Sequence, residues 1–127
     1  MPKVNPQQPI DSTAILLQEY ASGQRDFEKA ELANADLQGI DLKGSDFSYA
    51  DFSEANLSGA NLRGCDLSYA NLSQANLSDA NLQGAMLLSA DLRQANLNGA
   101  NLEKADCDHN THFPDNFNAK AAGVNLK

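Results

Sequence analysis

One five-residue phrase, Ala-Asn/Asp-Leu-x-x, recurs through this chain with almost no interruption, and it restricts the available folds more than any other feature. It reads Ala55-Asn56-Leu57-Ser58-Gly59, then Ala60-Asn61-Leu62-Arg63-Gly64. Followed in register it occupies residues 25–109 as 17 consecutive units without an insertion. The central residue is Leu or Phe in 16 of the 17, Cys107 being the exception. Two residues earlier stands Ala in 13, with Arg25, Ile40, Ser45 and Cys65 as departures. The residue just before the centre is Asp, Asn or Glu in every unit but the one that carries Met86.

This period excludes the ordinary elements. An α-helix turns about 100° per residue, so a five-residue period walks the leucines around the axis and leaves no apolar face. A long straight strand fails because five is odd, and the apolar set would change sides at every repeat. A bent strand succeeds. The centre and the residue two before it share one side, as the two-residue strand period requires, and the next gap, of three, leaves room for a corner. Repetition winds the chain around an axis into a solenoid, whose units bury their apolar sides only against their neighbours. The pattern demands a closed coil and leaves the number of sides open.

On this motif, commonly written A-(D/N)-L-x-x, the chain resembles the pentapeptide-repeat proteins, which are abundant in cyanobacteria. The resemblance covers residues 25–109. It implies an all-β fold, a right-handed quadrilateral parallel β-helix with four repeats per coil, here a little over four coils. It also implies a non-catalytic protein-interaction or scaffold module that needs no cofactor. Two other roles stay open. One is suggested by members that resemble duplex DNA in shape and charge and block DNA gyrase; the other is that this chain is a regulatory or stabilising partner of one enzyme.

The flanks read as caps. Residues 1–9 are polar and proline-rich without an apolar run for export, which together with only two cysteines predicts a cytoplasmic protein. Residues 10–23 predict a helix, with Asp11 as N-cap, Ile10 and Ile15 as a hydrophobic staple, and Gly23 as the stop. Its apolar stripe is Leu16, Leu17, Tyr20 and Ala21. Residues 1–24 are thus an N-terminal extension and capping helix, and residues 110–127 a C-terminal cap in which Phe113 and Phe117 cover the last coil. With both ends covered, a monomer is expected.

The net charge of −8 lies in the repeats, where six Lys/Arg face 14 Asp/Glu. Such a surface argues against direct binding of nucleic acid or of an anionic membrane, and leaves a protein as the expected partner. With four repeats per coil, Asp26, Asp46, Asp66 and Asp106 form one acidic column, beside Glu31, Asp51 and Asp91. They serve either as hydrogen-bond acceptors at the corners or as a mimic of a phosphate column.

Cys107, Asp108, His109 and His112 are near one another, but they lack the paired spacings of a structural zinc site, and no metal is expected. Cys65 lies two coils below Cys107, about 10 Å away by strand spacing, too far for a disulfide. No Ser/His/Asp set or phosphate-cradling loop supports catalysis. The glycines at the last repeat position (Gly39, Gly44, Gly59, Gly64, Gly84, Gly99) predict corners with positive φ. Tyr49 and Tyr69 share one outward position in successive coils and should stack. Met86 and Leu88 break the polar rule in the coil above them, so Tyr49, Tyr69, Met86 and Leu88 are expected to form an apolar strip that meets a partner.

Overall fold

The computed structural model describes residues 10–127; residues 1–9, read above as a polar extension without an export signal, lie outside them. In the repeats, the residue before each centre bridges in parallel to the residue 20 positions on: Asp26 to Asp46, Glu31 to Asp51, Asp36 to Asn56, Asp41 to Asn61, and onward. Four units therefore complete one coil. The first face carries the units centred on Phe27, Phe47, Leu67, Leu87 and Cys107, and the second those on Leu32, Phe52, Leu72 and Leu92. Leu37, Leu57, Leu77 and Leu97 centre the third face, and Leu42, Leu62, Leu82 and Leu102 the fourth.

Each face is held to the next coil by three backbone bonds, one of them from the corner Gly59 N–H to the Ser78 carbonyl at 2.8 Å. Leu57 N–H donates to the Asn76 carbonyl at 2.7 Å, and Asn76 N–H donates back to Ala55 at 2.9 Å. Between faces the centre's carbonyl accepts from the amide three residues on, as Ala60 N–H does from Leu57 at 3.0 Å, closing a β-turn. Its third residue has φ between 58° and 75° in all 16 units from Lys29 to Lys104, the signature of a type II turn. Glycine holds six of these corners, as the sequence predicted. The other ten are held by residues with a Cβ, at a cost of about 1 kcal/mol each.

The Asx residue closes the corner from outside. Asn56 Oδ1 accepts the Ser58 amide at 3.1 Å, and the same bond forms in 14 of the units. Inside, every central residue is buried. Phe47 stacks on Phe27 at 5.4 Å and meets Phe52 edge-on at 5.0 Å, so the aromatic centres cluster in the first two coils.

Helix α1, Thr13–Ala21, closes the lower end. Its N-cap is Ser12, whose hydroxyl accepts the Ile15 amide at 3.1 Å, and not Asp11. The reason is the ladder: Ile10 carbonyl accepts Glu31 N–H at 2.7 Å, which holds Ile10 extended as a rung and delays the helix. With that cap the staple positions fall on Asp11 and Leu16, so the Ile10–Ile15 staple does not form. The buried stripe also differs. Leu16 is fully buried and Ile15 and Tyr20 pack against the core, while Leu17 and Ala21 are exposed. Thr13 Oγ1 and Tyr20 Oη donate to the carbonyls of Asp36 and Lys43 on the coil rim. Gly23, at φ 101°, stops the helix as expected, with Gln24 N–H to Glu19 and Gly23 N–H to Tyr20 both at 3.0 Å, a Schellman closure.

At the upper end the tail runs one more, irregular coil. Asp108 and Thr111 bond to each other through backbone and side chain, and Thr111 Oγ1 donates to the Leu87 carbonyl at 2.7 Å. This turn takes up one extra residue, so His112 bridges Asp91 at a spacing of 21. Strand β1, Asp106–Cys107, then pairs in parallel with β2, Asn125–Leu126. Phe113 and Phe117 stack at 5.1 Å and pack on the core half-buried. On the third face the tail makes no ladder, and on the fourth only the corner Lys104 N–H reaches it, donating to the Gly123 carbonyl at 2.8 Å; the Leu97, Gly99 and Leu102 amides have no backbone partner among the described residues. The C-terminal cap is thus paired over the first and second faces, tied to the fourth by one corner bond, and only draped over the third. No helix among the described residues is long and apolar enough to cross a membrane.

Leu77 sits in a column of fully buried leucines whose backbone is tied above and below, so the coil cannot collapse into a void there. Leu77→Ala is expected to cost about 2–5 kcal/mol in a denaturant titration; an unchanged midpoint would contradict the inward position of the central residue.

Candidate functional site

The candidate surface is the corner between the first and second faces. Its column reads Lys29, Tyr49, Tyr69, Ser89, one residue per coil, all with positive φ. The Tyr49 and Tyr69 rings stack at 4.8 Å and 3° as expected from the sequence, and both stay more than half exposed, at 53% and 54%. A bulky side chain is seldom found at positive φ, so two consecutive coils accept at this corner a strain that glycine would avoid.

Met86 and Leu88 lie on the first face in the coil above. Met86 is exposed and Leu88 half-buried. Met86 does not adjoin another apolar residue in its own column, because it bridges Asp66 below and Asp106 above. The four residues therefore share a face and its edge, with carboxylates interleaved.

The acidic column is now accounted for atom by atom. Asp26, Asp46 and Asp66 each accept, through Oδ1, the amide two residues on, at 3.2, 2.9 and 2.9 Å. Asp106 instead faces β2, where Asn125 Nδ2 lies at 3.3 Å and Lys127 Nζ at 3.5 Å. On the second face Asp51 accepts the Ser53 amide and hydroxyl, while Asp91 takes two bonds from the Arg93 guanidinium, at 2.9 and 2.7 Å. Those side-chain bonds hold the Asp91 carboxyl below its usual range despite partial burial. Glu31 makes no such corner bond among the described residues.

The cysteines are committed to the core. Both are free and fully buried, and burial pushes each thiol up to about 11. Cys65 Sγ contacts the Leu42 carbonyl at 3.1 Å. Asp108 is tied to Ser89, Asn110 and Thr111, and these bonds outweigh its desolvation and hold its carboxyl below the usual range. Among the described residues no group of three or more His, Cys, Asp and Glu could hold a metal ion.

Two features escaped the sequence. A cleft of about 620 Å³ is lined by Ser73, Asp91, Arg93, Gln94, Phe113, Pro114 and Asp115; it lies where the tail leaves the ladder after His112, which no periodic pattern foretells. In addition, Ser68, buried beside the tyrosine corner, has a hydroxyl without a hydrogen-bond partner among the described residues.

Asparagine can make the same corner bond as aspartate. Asp46→Asn with Asp66→Asn is therefore expected to leave stability within about 0.5 kcal/mol of the parent. Asp46→Ala, which removes the acceptor, is expected to cost about 0.5–1.5 kcal/mol. Equal losses from the Asn and Ala replacements in thermal melts would show that charge, not the acceptor, supports the corner.

The comparisons with known proteins agree with this geometry. A family model described as pentapeptide repeats (8 copies) matches residues 26–64, 55–90 and 75–108. A pentapeptide repeat protein of Nostoc PCC 7120, solved by crystallography, is 65% identical, with a TM-score of 0.94 over 95% of this chain and 100% of its own. A pentapeptide repeat protein from the Arabidopsis thaliana thylakoid lumen is 40% identical over 64% of this chain and 53% of its own, with a TM-score of 0.48. The plasmid-mediated fluoroquinolone resistance protein QnrB1 is 20% identical over 80% of this chain and 58% of its own, with a TM-score of 0.54, a likeness of fold alone. No curated protein matches the chain.

Proposed function

Because this chain belongs to the pentapeptide-repeat family and is a right-handed β-helical solenoid, we propose that it works as a non-catalytic protein-binding rod of quadrilateral section. Its partner meets the tyrosine corner and the first face. The observation that carries this reading is the stacked, exposed Tyr49–Tyr69 pair at corners with positive φ. The outward rings add nothing to the leucine core, whereas tyrosine offers an interface a large contact at little cost in side-chain entropy. Methionine is likewise over-represented at interfaces, and Met86 stands where the repeat otherwise places an acidic or amide side chain.

The rod is proposed to act as a monomer. α1 occupies one end, and Phe113, Phe117, Ala122 and Val124 pack against the core at the other. Inhibition of a topoisomerase has less support. The likeness to QnrB1 extends to the fold only, and asparagine or aspartate serves the corner bond equally.

The test is affinity capture with the parent chain and with Tyr69→Ser plus Met86→Asp as bait. A partner retained by the parent should lose binding to the double variant, with its β-rich spectrum and melting midpoint nearly unchanged. Full retention of that partner by the double variant would remove the corner from the interface.

A further inference from the structure

The tyrosine corner stands between the two faces that carry most of the carboxylates the fold does not need; the third and fourth faces have one each, Asp36 and Asp41. A corner turn requires only an oxygen acceptor, and on the third and fourth faces Asn56, Asn76, Asn96, Asn61, Asn81 and Asn101 provide it. Beside the tyrosines the same position holds Asp46, Asp51 and Asp66. In each of these three the turn bond uses Oδ1, and Oδ2 has no hydrogen-bond or ion-pair partner among the described residues. Three outward carboxylate oxygens are thus left to accept from something outside the rod.

The ring stack has two unlike ends. Below Tyr49 the corner column continues with Lys29, whose charge repels a cation. Above Tyr69 it continues with Ser89, whose side chain is too small to cover a phenol ring, and Tyr69 is 54% exposed. A planar group can therefore extend the stack only at the Tyr69 end, on the side where Met86 and Leu88 offer apolar surface.

We propose that this corner binds arginine side chains of a basic partner segment. The guanidinium lies on the open face of Tyr69, and its N–H groups donate to the Oδ2 atoms of the first-face aspartates. The apolar neighbours of the arginine rest on Met86 and Leu88. Guanidinium fits both demands at once: it is planar, stacks on aromatic faces, presents a fork of donors to carboxylates, and is more weakly hydrated than ammonium. Lysine meets only the charge. This inference rests on the protein-binding reading above and names the chemistry of the partner at that same surface.

The test uses the full chain and two capped peptides, one alternating arginine with leucine and one with lysine at each arginine position, followed by titration calorimetry. The arginine peptide is expected to bind at least about threefold more tightly than the lysine peptide. Tyr69→Ser should bring the two affinities together. Serine already occupies this corner one coil higher, at φ 58° in Ser89, so the variant keeps an allowed corner residue. Asp46→Asn with Asp66→Asn, which preserves the turn acceptor, should weaken both peptides and flatten their salt dependence. Equal binding of the two peptides to the parent, or an arginine preference that survives Tyr69→Ser, would overturn the proposal, as would failure of the arginine peptide to bind. If captured protein still requires Tyr69 and Met86 while neither peptide binds, the interface stands and the arginine assignment falls.

Discussion

The coil-to-coil ladder, with its register of 20 residues, is the constraint from which the rest of the molecule follows. Each face shares three backbone bonds of about the same length with the coil above, so no coil can rotate without breaking bonds on all four faces. Buried carbonyls and amides carry a heavy penalty when left without partners. The ladder therefore acts as a ratchet, and side-chain identity is free to vary wherever it does not enter the column of leucines or the corner. The same fixity turns sequence spacing into surface geometry: residues 20 apart become neighbours at strand spacing, as the 4.8 Å separation of the Tyr49 and Tyr69 rings demonstrates.

The corners are where the fold tolerates cost. A type II turn wants glycine at its third residue, yet ten corners carry a side chain at positive φ. Two other interactions help to offset that strain: the carbonyl-to-amide bond closing the turn and the Asx oxygen that accepts the amide inside it. Because the Asx acceptor can be Asn or Asp, the fold leaves charge undetermined at that position, and charge can be distributed by other requirements. Most carboxylates gather on the first and second faces, whereas the third and fourth carry amides except at Asp36 and Asp41. The corner that divides the acidic faces is also the one with stacked aromatic rings, which places surplus charge and surplus apolar surface together.

The solenoid was legible because its signal is repeated 17 times and every repeat votes for the same inward position. The positive φ at corners was legible from six glycines alone, and the tyrosine stack followed from a spacing of 20. What the sequence concealed were single events. Asp11 and Ser12 are equally good caps on chemical grounds, and only the bond from Glu31 N–H to Ile10, between residues far apart in sequence, decides for Ser12. Leu17 reads as apolar as Leu16, but one helix against a narrow coil rim buries few residues. The extra residue taken up between Asp108 and Thr111 depends on a side-chain bond set that has no periodicity. From it follows the 21-residue step to His112, beyond which the tail leaves the ladder beside the cleft at Arg93.

That end also distinguishes a ladder-held rod from one held by core packing alone. Leu37 to Leu92 have central amides bonded to the coil above, whereas Leu97 is 8% and Leu102 2% exposed, nearly as buried as the rest, yet their amides have no backbone partner among the described residues. Burial and hydrogen bonding are thus separated at two positions. Residue-resolved amide hydrogen exchange on the native protein reads them directly. If the ladder holds the rod, the amides of Leu57, Leu62, Leu77 and Leu82 exchange only through global opening, with protection recurring every five residues, and those of Leu97 and Leu102 exchange much faster. Protection at Leu97 and Leu102 equal to that at Leu77 and Leu82, or protection without the five-residue recurrence, would contradict it.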